Sequence, residues 1–403
     1  MLELAFLACF AAIVWWLVSS GSHLQLHLRL ELLAALLALF VAACYIIAKR
    51  FEGGLGAVSH MSDRCPWGIW IGFDLCGVAL AAGGFVLAGT VHVFHSRRFA
   101  PILRPAVLTA LIAYQLVAAI LVLDLGRPYR FWHPLVMWQP HSVMFEITLC
   151  LTLYTCVLVV EFGSVLAEWW GWRRAAATLH AIALPTVMLG VILSTLHQSS
   201  FGSLFLIVPE KLYPLWYTPW LPVLFLLSAV CAGIAAIVGE SYLCAIFLRK
   251  HLAPALLADL GRVCGRVLWA YLAVKVADLS WRGAWPSLTG QPWLGASWMA
   301  EVALGVVLPA LLLHRLPPLP PARRLLTACV LVMAGVVLNR LNVCWFGLIP
   351  YTGYVYVPSW MELTLTGAFV VLGVLVFVAV AQLLPVFPGP RPAAAPARQP
   401  APT

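Results

Sequence analysis

DLGRPYRFWHPLVMWQPHSVMFE, residues 124–146, joins two long apolar runs, 103–123 and 142–167. Each run is long enough to cross a bilayer, which takes ~20 apolar residues as an α-helix. Because the join is short, the two helices must be antiparallel neighbours. Asp124 closes the first run and Glu146 sits inside the second. Between them lie Arg127, Arg130, His133, His141, Trp132 and Trp138. An ionisable group at membrane depth costs about 2.5–3.5 kcal/mol or more, so a carboxylate there marks function or a specific partner.

The same pattern extends outward through the chain. Its 403 residues are 63% hydrophobic and 10% charged, with a mean hydropathy of +0.97. A soluble domain carries roughly 25% charged residues. Ten runs read as spanning helices: 31–50, 68–94, 103–123, 142–167, 175–197, 220–248, 264–282, 297–314, 324–344 and 360–385. The fold class is therefore an all-α, polytopic transmembrane helical bundle with ten core helices. A further apolar run, 4–18, is short for a span and lacks the basic n-region of a signal peptide. It reads as an extra helix or a membrane-surface segment within an N-terminal extension, residues 1–29. Residues 30–386 form the transmembrane domain, and the Pro/Ala-rich stretch 387–403 is expected to be disordered.

Basic residues set the orientation. Of the 24 lysines and arginines, 15 fall on one side, in the loops after the second, fourth, sixth and eighth runs, before the first run, and in the tail. The positive-inside rule places that side in the cytoplasm. The loop after the first run, with Lys49, Arg50 and Arg64, is the exception. The net charge of +9 thus reflects topology. Spread over many short loops, it gives no support for nucleic-acid binding. The eleven cysteines form no CxxC pair, so the close spacing that holds an iron–sulfur cluster is missing. They read as small apolar packing residues.

With the orientation fixed, each charge has a depth. Asp74, Asp124, Glu146, His197, Lys275, Asp278, Arg282, Glu301, Arg340 and Glu362 all fall in the outer part of the bilayer. Glu161, Glu168 and Glu240 lie in the inner half. Lys275, Asp278 and Arg282 are spaced i, i+3 and i, i+4, as a structural charge ladder would be. Glu301 and Glu362 begin their helices and read as wetted caps. The glycines of GIWIGFDLCGVALAAGGFVLAG, residues 68–89, predict close helix packing, which would put Asp74 in the protein interior.

A quinone is the substrate that such a slab suits. It needs an apolar cleft open to lipid, hydrogen-bond partners for two carbonyl oxygens, and protonatable groups for two protons. Asp124, Glu146 and His197 are the candidates for proton transfer at the quinone, and Asp74 and Arg340 are further candidates for holding it. Glu146, Glu161 and Glu240 could line a proton path. Two other readings stay open at this point. A haem b anchor needs paired axial histidines at one depth, and His92, His95, His180 and His314 lie near the inner side, His141 and His197 near the outer. A secondary ion transporter would show internal repeats and midplane charges, and neither is evident.

Several segments carry a resemblance. WGIWIGFDLCGVALAAGG (67–84), RPAVLTALIAYQ (104–115), DLGRPYRFWHP (124–134), HSVMFE (141–146), LSTLHQSSFGSLFLIVPEKLYPLWYTP (193–219), NRLNV (339–343) and PSWMELTLTG (358–367) resemble the NrfD/polysulfide-reductase membrane subunits. Within that family the likeness is to the membrane subunits of hydrogenase-2-type [NiFe] hydrogenases, and it covers about residues 30–386. It implies a quinone-reactive subunit of the bacterial cytoplasmic membrane, carrying no haem or iron–sulfur cluster of its own. Menaquinone or ubiquinone would be the substrate. The implied partners are a periplasmic ferredoxin-like iron–sulfur subunit and, through it, a [NiFe] hydrogenase or another periplasm-facing catalytic subunit. The resemblance associates Glu146 with proton transfer and places Asp124 and His197 around the quinone. It leaves Asp74, Arg127, Lys275, Asp278 and Arg340 at polar positions without a stated role. His141 departs from the Asn of relatives, so it takes no role from them. Arg127, Arg130, Trp132 and Trp138 read as interface and partner-docking residues.

Overall fold

A computed structural model describes residues 26–207, 211–250 and 254–387. Residues 4–18 and all but the first residue of the Pro/Ala-rich stretch lie outside the described residues. Each of the ten apolar runs is helical. The helices are α1 (Leu26–Gly53), α2 (Ile69–Ala88, continued by a π-helical turn Gly89–Val93), α3 (Ala100–Asp124) and α4 (Val143–Trp169). α5 (Arg173–Ala181) and α6 (Ala183–Leu204) share the fifth run. α7 (Leu221–Phe247) and α8 (Pro254–Trp281) follow. α9 (Pro292–Val302) continues through a π-helical turn Ala303–Val307 into Leu308–Leu313. α10 (Ala322–Cys344) and α11 (Trp360–Leu383) close the bundle.

Among the described residues, eight helices are each long and apolar enough to cross a membrane, and the α5–α6 pair, bent by 55°, makes up to nine. The protein is a multi-pass membrane protein, and the expected tenth crossing is not met by this measure. The shortfall is α8, where Asp259, Arg262, Arg266, Lys275 and Asp278 keep the helix from being apolar throughout. The bend in the fifth run falls at Ile182, between α5 and α6.

Two groups of four helices pack side by side. α2, α3, α4 and α6 surround one apolar core. α7, α8, α9 and α10 surround a second. α2 joins them, touching α3 and α6 on one side and α7 and α10 on the other. Its glycines allow this. A Cβ on Gly233 of α7 would meet the Gly83 backbone nitrogen at 2.2 Å, so the two backbones meet directly, as small-residue packing permits. Asp74 is 3% exposed, in the interior that the glycine pattern predicts. α1 and α11 pair with each other and lie against α3 and Trp70 of α2.

Arg50 accounts for one of the three basic residues, Lys49, Arg50 and Arg64, that break the charge rule. It is 2% exposed and reaches from the end of α1 to the C-terminus of α3. Its Nε donates to the Leu123 carbonyl at 2.7 Å and its Nη2 to the Leu125 carbonyl at 2.5 Å. A cation on the last carbonyls of a helix satisfies groups that the helix leaves open. Arg50 is therefore a helix cap in the protein interior and carries no topological signal.

The two glutamates read as wetted caps are buried. Glu362 is 0% and Glu301 1% exposed. Glu362 forms a capping box with Ser359 at the start of α11 and also accepts from the Tyr356 hydroxyl at 2.5 Å and the His60 amide at 3.1 Å. Burial, with that hydrogen bond, pushes the Tyr356 phenol well above its usual range, so it remains a donor.

Candidate functional site

The site is built where α2, α3 and α6 meet, with α4 behind. Tyr114 of α3 is 0% exposed, as is His197 of α6. The Tyr114 hydroxyl and His197 Nδ1 are 3.1 Å apart and hydrogen-bonded. The ring of Tyr154 from α4 meets the Tyr114 ring edge-on, with centroids 4.7 Å apart. Phe201 flanks His197 at 4.6 Å. Asp74 lies within electrostatic range of both Tyr114 and Asp124. Asp74, His197 and Tyr114 sit about 8–15 Å below the outer ends of their helices, at 1.5 Å rise per residue.

Unmet hydrogen-bonding capacity sets the cluster apart. Asp74 Oδ1, His197 Nε2 and both amide atoms of Gln198 are buried with no partner among the described protein atoms, and Ser194 stands within reach of the Tyr114 and Tyr154 hydroxyls. Buried polar atoms in folded proteins are bonded in roughly 90% of cases or more, so a concentration of unmet ones needs an explanation. Water or a polar ligand group would supply the missing partners.

The carboxylates divide around this cluster. Asp124 faces α1 and α11, where Arg50 is its opposite charge and Glu362 lies within range, and its Oδ1 is unpaired. Glu146 is part-exposed in the first turn of α4, within electrostatic range of Cys150, which in turn lies within range of Tyr114. The two residues bracketing the 124–146 join thus approach the cluster from different sides.

In the inner half, Glu161 lines a cavity of about 250 Å³ together with His92, Arg104, His180 and apolar residues of α2 to α6. Residues on both sides of the α5–α6 bend, Leu179 and His180 before it and Ala183, Thr186 and Val187 after it, form part of the cavity wall. Glu161 lies within electrostatic range of Tyr154, and its Oε1 would be 3.8 Å from a Cβ on Gly190. Glu240 of α7 accepts from the Thr109 hydroxyl of α3 at 2.5 Å.

Arg340 belongs to a second network, on the other side of α2. It is 0% exposed and donates to Asn339 Oδ1 at 2.7 Å, Ser228 Oγ at 2.9 Å and the Phe225 carbonyl at 3.1 Å, with its guanidinium 3.6 Å from the centre of the Phe225 ring. Lys275 does not pair with Asp278 as a ladder would have it. Its ammonium pairs with Glu301 of α9, and Asp278 pairs with Arg282 at 2.7 Å and accepts from Thr218 at 2.7 Å. Spacing along one helix gave the Asp278–Arg282 half, while the partner of Lys275 comes from a neighbouring helix.

Sequence reading passed over Arg50, Tyr114, Tyr154, Ser194 and Gln198. Tyr114 and Gln198 stand in quoted segments, as AYQ and LHQSS, and a tyrosine or amide inside an apolar run was the available signal. Nothing in the sequence distinguishes Tyr154.

The fold and this cluster define a multi-pass helical membrane protein with a buried polar site toward its outer side. The family model for Polysulphide reductase, NrfD, matches residues 57–358, and the chain belongs to that family. It is 38% identical over 363 residues to a protein of Nitratidesulfovibrio vulgaris, covering 86% of this chain and 92% of the relative. It is 31% identical to the Probable Ni/Fe-hydrogenase 2 b-type cytochrome subunit of Escherichia coli, covering 87% and 91%. It is 26% identical to the Menaquinone reductase, integral membrane subunit, of Nitratidesulfovibrio vulgaris, covering 85% and 88%.

The Escherichia coli relative is named as a b-type cytochrome subunit, which raises the question of how a haem would meet the described histidines. The fully buried histidine, His197, gives Nδ1 to Tyr114 and has Tyr114 and Phe201 as its ring neighbours. His92 and His180 line one cavity, and His180 Nε2 is held by Glu168 at 2.9 Å. No second imidazole is among the described ring neighbours of His197, as a bis-histidine haem site would require.

Proposed function

We propose that the chain is the quinone-reactive membrane subunit of a respiratory oxidoreductase complex in the bacterial cytoplasmic membrane. The observation that supports this best is the Tyr114–His197 hydrogen bond, set among buried polar atoms that lack protein partners. One relative is named as the integral membrane subunit of a menaquinone reductase and another as a probable b-type cytochrome subunit of Ni/Fe-hydrogenase 2. The quinone headgroup occupies the outer-side cluster. One carbonyl oxygen accepts from the Tyr114–His197 pair, and Gln198, Ser194 and Asp74 serve the remainder of the ring.

The reaction is quinone + 2 H⁺ + 2 e⁻ ⇌ quinol, run in either direction. Electrons pass to or from an iron–sulfur partner docked on the periplasmic face, which connects to a [NiFe] hydrogenase or another catalytic subunit. Protons leave or arrive through the carboxylates nearest the headgroup. Asp124 and Glu146 serve the outer side, and the Arg50 guanidinium lies within electrostatic range of the Asp124 carboxylate. Glu161, at the wall of the inner cavity, and Glu240 form an inner branch. Tyr154, between Glu161 and Tyr114, is the hydroxyl that joins that branch to the site. Arg340 and Lys275 act through the shape of the bundle and do not touch the quinone.

Glu146→Gln tests the proton assignment. It keeps the size of the side chain and removes its ability to ionise. Quinone-linked turnover of the whole complex is expected to fall by roughly 10²-fold, the low end for loss of a positioned proton-transfer group. Turnover with an artificial dye at the catalytic subunit is expected to hold. Equal loss of both activities would count against the proton role.

A further inference from the structure

We propose that the outer segment 125–142 is a membrane-embedded flap, seated in the headgroup region of the outer leaflet, and that what covers its apolar side is lipid. The segment was read above as a docking surface for a protein partner, and four observations favour lipid.

The first is its position. It leaves the outer end of α3 at Asp124 and returns at Val143, where α4 begins. Both ends are fixed at the level of the membrane surface, and the segment between them makes only a 3₁₀ turn, Pro128–Arg130, and one helical turn, His133–Val136.

The second is its surface. Tyr129, Phe131, Val136, Met137 and Trp138 are 55–66% exposed. Five such side chains in ten residues would be a costly face to leave against water, at ~25 cal/mol per Å² of apolar surface. Aromatic side chains at the boundary of a membrane have an apolar body to bury and a polar edge to keep wet.

The third is charge. Arg127, Arg130, His133 and His141 are its only ionisable groups apart from the Tyr129 phenol, and no acid stands between Asp124 and Glu146. The Arg130 guanidinium lies 5.8 Å from the centre of the Tyr129 ring. Guanidinium groups at this depth match phospholipid phosphates, which their paired N–H donors can hold.

The fourth is support. Among the described residues, the hydrogen bonds of 128–141 stay within the stretch 127–142. It touches the ends of α3 and α4 next to it, and Trp138, whose indole donates to the Leu135 carbonyl at 2.9 Å, has its ring 5.7 Å from Phe145 of α4. Met144, next to Phe145, is 52% exposed. The apolar side of the flap therefore runs on into the outward-facing flank of α4, beside Glu146. A molecule diffusing in the outer leaflet would pass under this flap to reach Glu146.

The test is photo-crosslinking of the whole complex in its native membrane. p-Benzoyl-phenylalanine is placed singly at Val136 and at Met137, with Val370 on the outward face of α11, 50% exposed, as the lipid-facing control. After irradiation, lipid adducts are read by mass spectrometry and polypeptide adducts by gel mobility. Lipid adducts at Val136 and Met137, at a yield comparable to that at Val370, are expected. A polypeptide adduct at both positions would overturn the proposal in favour of protein docking. Absence of any adduct at both while Val370 is labelled would overturn it in favour of a water-exposed loop. Neither outcome depends on whether quinone binds at Tyr114 and His197.

Discussion

Glu301→Leu is expected to remove the folded protein from the membrane. The Glu301 carboxylate is 1% exposed and accepts from four groups on three parts of the chain. Lys275 of α8 and Asn339 of α10, the latter at 2.9 Å, share Oε1. Trp216 at 2.9 Å and Asn342 of α10 at 2.8 Å share Oε2. Removing the carboxylate leaves the Lys275 ammonium buried without an anion, which costs about 3–5 kcal/mol. Each newly orphaned buried donor adds about 1–3 kcal/mol. A typical domain has only about 5–15 kcal/mol of stability in all. The yield of monodisperse protein in detergent and its melting temperature read the effect. The double variant Lys275→Met/Glu301→Leu, which removes both charges, is expected to recover part of the loss. Wild-type yield and melting for the single variant would show that the network is not what holds α8, α9 and α10 together.

The same network bears on the site at a distance. Trp216 and Thr218, held by Glu301 and Asp278, and Pro214, whose carbonyl accepts from Arg282 at 2.9 Å, lie on the segment that follows α6. That segment fixes the outer end of the helix carrying His197.

His197→Phe is expected to lower quinone-linked turnover by about 10²-fold or more, in the range for losing a positioned acid–base group. A phenyl ring fills the space between Tyr114 and Phe201 but offers no nitrogen to the Tyr114 hydroxyl or to a headgroup. Tyr114→Phe removes a single hydroxyl and leaves the imidazole in place. A hydrogen bond is worth about 0.5–1.5 kcal/mol, so this variant is expected to lose up to roughly tenfold. Steady-state kinetics over a range of quinone concentrations in the whole complex separate the two effects. The histidine variant should lose kcat more than it raises KM, because a proton-transfer group acts on the reaction itself. An unchanged kcat in His197→Phe would remove His197 from the chemistry.

Much of the fold is legible in the sequence, and for a simple reason. Apolar run length reports a helix in lipid directly, so the positions of the helices follow from composition, while the expected ten crossings come to eight or nine among the described residues. The burial of Asp74 follows from the glycines around it. What the sequence cannot convey is which neighbour a side chain meets. Lys275 and Asp278 are three residues apart, yet Lys275 finds its anion 26 residues on, in Glu301. Arg50 looks like a loop charge and is a buried helix cap, because α1 and α3 end at the same height. Glu301 and Glu362 stand at helix starts, where water is the usual partner, but neighbouring segments cover both. Tyr114 and Tyr154 resemble any tyrosine in an apolar run until α3 and α4 bring their rings within 4.7 Å. The bend between α5 and α6, whose flanking residues line the inner cavity, is concealed by an unbroken apolar run.

Covalent mapping with a photoreactive azidoquinone tests the location of the quinone site most directly. The complex is irradiated in membranes with and without excess unmodified quinone, and labelled peptides are identified by mass spectrometry. Competed adducts are expected on the outer halves of α2, α3 and α6, around Asp74, Tyr114 and His197, and on the first turns of α4. Competed adducts confined to the residues lining the inner cavity, or to α8–α10, would contradict an outer-side quinone site at Tyr114 and His197.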